Sequence, residues 1–159
     1  MRDGPTTQAT LALDEAGVAY NAHQYEHDPG ADSFGLEAAA AIGAEPERVF
    51  KTLLADIDGD LVVGIVPVTA KLHLKSLAAA VGGKRGSMAD PAVAERRTGY
   101  VVGGISPIGQ KRHHPTVIDE TAELFDTIYV SGGRRGFDIE LTSADLVSLT
   151  GATFADIAR

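Results

Sequence analysis

Two apolar runs, Val49-Phe50-Lys51-Thr52-Leu53-Leu54-Ala55 and Leu61-Val62-Val63-Gly64-Ile65-Val66, flank Asp56 to Asp60, and no other stretch constrains the fold as much. Asp58-Gly59 between them is a strong hairpin signal, because a tight two-residue turn needs residues that tolerate positive φ. The runs predict two neighbouring core strands. Lys51 is out of place in the first of them. A charge between Phe50 and Thr52 is costly to bury unless its ammonium reaches a cleft or a partner, so it predicts a pocket beside the strand. The alternative is a stem that snorkels to the surface.

Other elements can be read around that hairpin. Thr6 or Thr7 caps a helix through about Ala16, with Leu11, Leu13 and the alanines on its apolar face and Gly17 as its stop. Val18–Gln24 reads as a strand, and Tyr25–Phe34 as an irregular loop carrying Asp28, Pro29, Gly30, Asp32 and Ser33. Helices are expected over Leu36–Ile42, Leu72–Val81, Asp90–Arg97 and Ser143–Leu149, the third opened by a capping acid and a proline. Strands are expected over Tyr100–Val102, Thr116–Asp119, Thr127–Val130 and Phe137–Leu141. Hairpins without regular βαβ alternation favour an α+β fold with a mixed, curled, barrel-like sheet surrounded by short helices. At 159 residues, with no repeat or linker, residues 1–159 are expected to form one domain.

Composition removes several classes of function. The chain has no cysteine, which excludes disulfides, thiolate metal sites and cysteine nucleophiles. No apolar run is long enough to span a bilayer, and Met1–Thr10 lacks a basic start followed by an apolar stretch, so a soluble, cytoplasmic protein without a membrane partner is expected. The net charge of −8 argues against nucleic-acid binding through bulk charge. That charge is uneven: residues 71–112 hold eight basic and two acidic side chains, a local excess of +6 made by Lys71, Lys75, Lys84, Arg85, Arg96, Arg97, Lys111 and Arg112. They can form a basic patch or an ordinary solvated face.

Two glycine clusters carry candidate chemistry. Gly103-Gly104-Ile105-Ser106-Pro107-Ile108-Gly109 lets backbone amides approach a ligand closely. It is no phosphate loop, since Gln110-Lys111 stands where Lys-Ser/Thr is required and Pro107 removes an amide; a tight turn is the plainer reading. Ser131-Gly132-Gly133-Arg134-Arg135-Gly136 sets a hydroxyl and two guanidinium groups at a turn, which suits an anion clamp or a solvated hairpin tip. Asp138 follows on a strand, facing opposite to Phe137 and Ile139. His23 and His27 fall on extended chain, where their spacing has no metal-binding meaning, and His113-His114 are expected on the surface, so no metal or other cofactor is expected. A serine hydrolase built on Ser131 or Ser106 lacks a Gly-x-Ser-x-Gly elbow.

Taken together, the motifs resemble the bacterial YbaK/EbsC group of editing proteins, related to the editing domain inserted in many prolyl-tRNA synthetases. The matching stretches are His23–Pro29, Phe34-Gly35, Val49–Leu53, Met88–Pro91, Thr98–Lys111, Tyr129–Gly133 and Arg135–Leu141. The resemblance implies the fold of that editing domain and a free-standing hydrolase that cleaves cysteine from mischarged tRNA(Pro), with Cys-tRNA(Cys) as a further substrate. Such an editor is needed because two small side chains differ by only about 1–3 kcal/mol in an apolar pocket. It also implies Lys51 as the essential lysine, Tyr25, Phe34, Gly104, Ser131 and Asp138 as pocket residues, and a reaction in which the substrate's own thiol attacks its ester.

On that basis Lys51 is expected to orient the terminal nucleotide, amides around Gly103 and Gly104 to hold the carbonyl oxygen, Tyr25 and Phe34 to wall the pocket, and Ser131 and Asp138 to hold the thiol or amino group. Lys111, Arg112, Arg134 and Arg135 are candidate tRNA contacts. The expected partners are the acceptor end of tRNA(Pro) and, transiently, prolyl-tRNA synthetase, whose complex would supply affinity that few phosphate contacts cannot. Alternatives are a deacylase of another mischarged tRNA, such as Ala-tRNA(Pro), and a noncatalytic module that binds tRNA or nucleotide.

Overall fold

A computed structural model describes residues 4–30 and 33–159. Residues 1–3 of the N-terminal stretch, and Ala31 and Asp32 of the turn-rich segment, lie outside the described residues.

The hairpin that dominates the sequence forms as expected. Strands β2 (Phe50–Ile57) and β3 (Asp60–Pro67) pair antiparallel from Phe50 opposite Pro67 to Ile57 opposite Asp60, and Asp58 and Gly59 turn the chain at φ +52° and +96°. Around them β4 (Gly86–Met88), β5 (Thr116–Asp119) and β8 (Thr153–Ala155) complete a five-stranded sheet in the order β4-β2-β3-β5-β8. β3 and β8 both run parallel to β5, so the sheet is mixed. A second, three-stranded antiparallel sheet has the order β1-β7-β6, from β1 (Asn21–Gln24), β6 (Ile128–Arg134) and β7 (Phe137–Leu141). Between the sheets lies a core containing Leu13, Phe50, Ile65, Ile118, Val130, Phe137 and Ile139.

No sheet closes or curls into a barrel. Among the described residues the two sheets are joined by one backbone bridge, Val49 parallel to Tyr129, beside the bonds from the Arg48 guanidinium to the Thr127 carbonyl (3.0 and 3.1 Å). β2 takes β4 only at Ala55–Ile57, with the Ala89 amide bonding the Leu54 carbonyl just before it, which leaves Phe50–Leu53 as an open edge. At that edge, where a barrel would close, a cleft opens instead.

Helices α1 (Gln8–Ala16), α2 (Phe34–Ile42), α3 (Leu74–Ala80), α4 (Pro91–Thr98) and α5 (Ser143–Thr150) are short and capped, by Thr7, Ser33, His73, Asp90 and Thr142 respectively. Each cap side chain accepts a bond from an otherwise unpartnered amide of the first turn.

Several expectations are corrected. Tyr100–Val102 is no strand: Tyr100 is buried and its hydroxyl donates to the Ile108 carbonyl (2.6 Å), so side-chain bonds rather than a ladder hold this loop. β1 starts at Asn21, not Val18, and α2 starts at Phe34 because Ser33 caps it. Leu11 points to solvent, leaving Ala9, Thr10 and Leu13 as the buried face of α1. His114 is buried, not superficial; its Nδ1 meets Gln110 Oε1 at 2.9 Å, and burial, reinforced by Arg97, His113 and Arg112, lowers its pKa. β4 and β8 were not foreseen, three residues being too short for a period to register.

Candidate active site

A cleft of about 390 Å3 opens between the edge of β2, the β6–β7 hairpin, the start of α2 and the loop before Ile105. Its first wall is the open edge of β2, where Lys51 and Thr52 line it. Burial, and after it the charge of Lys71, lowers the pKa of Lys51. The Leu54 carbonyl faces Ala89, away from β3, and main-chain groups alternate sides along a strand, so those of Thr52 face the open edge as well. The Thr52 hydroxyl is buried and has no hydrogen-bond partner among the described residues.

Opposite stands the β6–β7 hairpin, where Ser131 pairs with Asp138 just before the register shifts to Arg134 opposite Phe137. The alternation expected of β7 holds, since Phe137 and Ile139 enter the core and Asp138 lines the cleft. Asp138 is only 6% exposed and its carboxyl group receives no hydrogen bond among the described residues; burial raises its pKa to about 7. Tyr25 beside it is pushed up to about 12 by burial and then by the Asp138 charge. The Ser131 hydroxyl accepts a bond from the Gly133 amide (3.2 Å), and Tyr25 is tied to the hairpin by its own amide, which donates to the Gly136 carbonyl (2.9 Å).

The third wall is a four-residue turn, Val101 to Gly104, closed by the Gly104 amide donating to the Val101 carbonyl (2.9 Å). Gly103 sits third at φ +89°, the left-handed value a type II turn requires there. The two glycines thus do different things. Gly103 lines the cleft, whereas Gly104 is buried behind it, where a Cβ would lie 2.8 Å from the Arg134 backbone. The Gly104 amide is bonded within the turn, whereas the Gly103 amide has no hydrogen-bond partner among the described residues.

Phe34 opens α2 at the rim, under the Arg135 guanidinium (4.9 Å to the ring centroid) and beside the His27 ring (5.4 Å). Glu37 of the same helix takes His27 Nδ1 at 2.7 Å and the Asp28 amide at 2.5 Å, and these bonds hold its pKa below the usual carboxylate range. Arg135 turns inward, its Nε and Nη2 donating to the Val102 carbonyl (2.9 and 2.6 Å). Lys111, Arg112 and Arg134 are exposed and do not line the cleft.

The structure therefore brings together Lys51, Tyr25, Phe34, Gly103, Ser131 and Asp138, and sets Gly104, Lys111, Arg112, Arg134 and the likewise exposed Arg135 outside the cleft. Thr52 and the inward role of Arg135 were missed by sequence reasoning. Position on the β2 edge could have flagged Thr52; nothing local distinguishes Arg135 from Arg134. His23 and His27 pair with different carboxylates, Glu140 (3.0 Å) and Glu37 (2.7 Å), and no three metal-ligating side chains gather among the described residues. His73 meets Ser76 at 2.7 Å, but that histidine caps α3, outside the cleft, and is no nucleophile's base.

Residues 28–149 match the family model of the aminoacyl-tRNA editing domain. Over 154 residues the chain is 38% identical to EbsC of Enterococcus faecalis, named as a candidate Cys-tRNA(Pro)/Cys-tRNA(Cys) deacylase, covering 95% of this chain and 92% of that one. A proline–tRNA ligase of Maridesulfovibrio salexigens is 29% identical over 100 residues, 63% of this chain and 17% of the ligase. Among solved structures, a candidate trans-editing enzyme for prolyl-tRNA synthetase superposes with a TM-score of 0.85 at 26% identity, over 98% of this chain and 99% of that one.

Proposed function

Because this chain belongs to the aminoacyl-tRNA editing domain family, we propose that it is a trans-acting aminoacyl-tRNA hydrolase that removes cysteine from tRNA(Pro), and from tRNA(Cys) where that acceptor end presents itself. The observation that carries the reading is a small cleft with Lys51 on one wall and an unpartnered, buried Asp138 on the other. An aminoacyl ester at the end of a tRNA offers a phosphate to the lysine and an α-amino group to the aspartate. Among the described residues no hydroxyl in the cleft is paired with a histidine, which suits a nucleophile that the substrate itself supplies.

In this scheme the thiol of the bound cysteine attacks its own ester carbonyl. A carbon–sulfur bond forms as the carbon–oxygen bond to the ribose breaks, and the thiol proton passes to the departing ribose oxygen. The product is a four-membered thiolactone, which water opens to free cysteine. The protein's part is to fold the aminoacyl group into reach of itself and to meet the developing negative oxygen with an N–H donor. Gly103 is the donor in this scheme, Tyr25 and Phe34 wall the side-chain space, and Ser131 and Asp138 hold the thiol and the amino group. The tRNA is delivered by prolyl-tRNA synthetase in a transient complex, which suits a protein of net charge −8.

Single-turnover deacylation of a panel of mischarged tRNAs tests this. Cys-tRNA(Pro) is expected to be cleaved at least about 100-fold faster than Ser-tRNA(Pro), whose hydroxyl is the weaker nucleophile in an otherwise matching side chain. Equal rates for cysteine, serine and alanine esters would overturn the substrate-thiol route, and a preference for Ala-tRNA(Pro) would reassign the substrate.

A further inference from the structure

Arg135 reaches back across the hairpin to the turn that carries Gly103. Its Nε and Nη2 converge on the Val102 carbonyl oxygen at 2.9 and 2.6 Å, while its guanidinium lies over the Phe34 ring. That carbonyl and the Gly103 N–H belong to the same peptide unit. The peptide is trans, so the two groups point in opposite directions, and fixing one fixes the other.

This peptide is the central one of the turn, the unit whose flip distinguishes a type II turn from a type I turn. The turn's own bond, Gly104 to Val101, leaves it unconstrained. The neighbouring peptide is anchored separately, by the Val102 amide donating to Glu95 Oε2 at 2.8 Å. A Cβ on Gly103 would lie 2.8 Å from Arg135 Nε and 3.1 Å from the Phe34 ring, so the clamp and the glycine are fitted to each other. A charged donor pair on a carbonyl also polarises its peptide, strengthening the N–H on the far side as a donor.

We infer that Arg135 is a positioning residue: it holds the Val102–Gly103 peptide with its N–H turned toward the cleft, ready for the oxygen that becomes negative during ester cleavage. The inference rests on the deacylase reading above, and it takes Arg135 out of the set of direct tRNA contacts.

Deacylation of Cys-tRNA(Pro) by the full chain with Arg135→Met and Arg135→Lys separates the possibilities. Arg135→Met is expected to lower kcat about 10-fold or more with KM changed less than about 2-fold, and Arg135→Lys to recover part of the loss. In protein labelled with 15N-glycine, the Gly103 amide resonance of Arg135→Met should shift and its exchange with solvent quicken. A rise in KM that fades with salt, at unchanged kcat, would make Arg135 a tRNA contact and overturn the inference. An unmoved Gly103 resonance would overturn it even if Arg135→Met were too unstable to assay fully, and Arg135→Lys, which keeps the charge and the stem, guards against that loss. If the unaltered protein cleaves no aminoacyl-tRNA, the deacylase reading fails and the inference goes with it; if the unaltered protein is active and Arg135→Met keeps its kcat, only the inference fails.

Discussion

Two of the cleft's walls, the β2 edge and the β6–β7 hairpin, are built differently and carry side chains of opposite type, one basic and one acidic. Lys51 stands on β2, whose register with β3 runs unbroken through eight residues; Asp138 stands on β7, opposite Ser131, beside a register shift in β6. Burial works against the charge of both, lowering the lysine's pKa and raising the aspartate's. Yet they form no ion pair with each other, and neither has any other among the described residues. A pair in contact would have satisfied itself. Held apart in one cleft, the two groups remain available to a ligand that brings both an anion and a cation.

The comparison breaks most decisively at Lys51. Lys51→Ala is expected to reduce deacylation at least about 100-fold, since losing the group that orients the reacting ester costs that much or more, while circular dichroism and Tm stay near those of the unaltered protein. Retained activity would remove the lysine from the mechanism and leave the strand wall a purely structural one.

Next in size is a contrast between neighbours. Gly103→Ala puts a side chain at φ +89° in the cleft wall, against Arg135 and Phe34, and is expected to cost about 10- to 100-fold in kcat. Gly104→Ala has no such φ, but its Cβ meets the Arg134 backbone at 2.8 Å and must push the turn away from the hairpin. It is expected to destabilise the fold by about 1–3 kcal/mol, read as a lower Tm. If both variants lost activity in proportion to their Tm, the assignment of the amide to Gly103 alone would fall.

Much of this was legible in the sequence, for physical reasons that also mark where reading stopped. The hairpin β2–β3 announced itself because both strands are apolar and Asp58-Gly59 admits one kind of turn. Lys51 stood out because a charge in such a strand demands an explanation, and Asp138 followed from the alternation with Phe137 and Ile139. What failed was long-range. Whether β2 and β6 pair along their length or only through Val49 and Tyr129 is decided by packing, so the sequence points to one mixed, curled, barrel-like sheet where two sheets form. Nothing in the sequence marks His114 as buried, because its burial and its bond to Gln110 arise from the fold of the loop. The difference between Gly103 and Gly104 was invisible for the same reason.

A smaller and sharper test concerns the hairpin wall and stability. Asp138 ionises near 7 in the folded protein and near its ordinary 3.8 when unfolded, so between those values the folded state holds a proton that the unfolded state has lost. Stability therefore falls as pH rises through that window, by at most about 4 kcal/mol, and levels off above it. Asp138→Asn, which cannot ionise, is expected to flatten this slope: its Tm relative to the unaltered protein should rise from pH 5 to pH 8. Parallel Tm curves would show that Asp138 ionises at an ordinary pH and that burial is not what separates the two walls.

The smallest expected effect is outside the cleft, and adjacent arginines make it informative. Arg134 is exposed at the hairpin tip and makes no side-chain bond among the described residues, while Arg135 spends its guanidinium on Val102 and Phe34. An exposed cation that meets one phosphate of a single-stranded acceptor end adds roughly 0.7 to the dependence of log affinity on log salt, and nothing to the chemical step. Arg134→Ala is therefore expected to raise KM about 2- to 3-fold in dilute buffer, to lose even that effect near 0.2 M salt, and to leave kcat untouched; Lys111→Ala and Arg112→Ala should behave alike. A fall in kcat with Arg134→Ala would mean that the hairpin tip moves the catalytic turn as a body, and the division between an inward arginine that positions and an outward one that attracts would have to be given up.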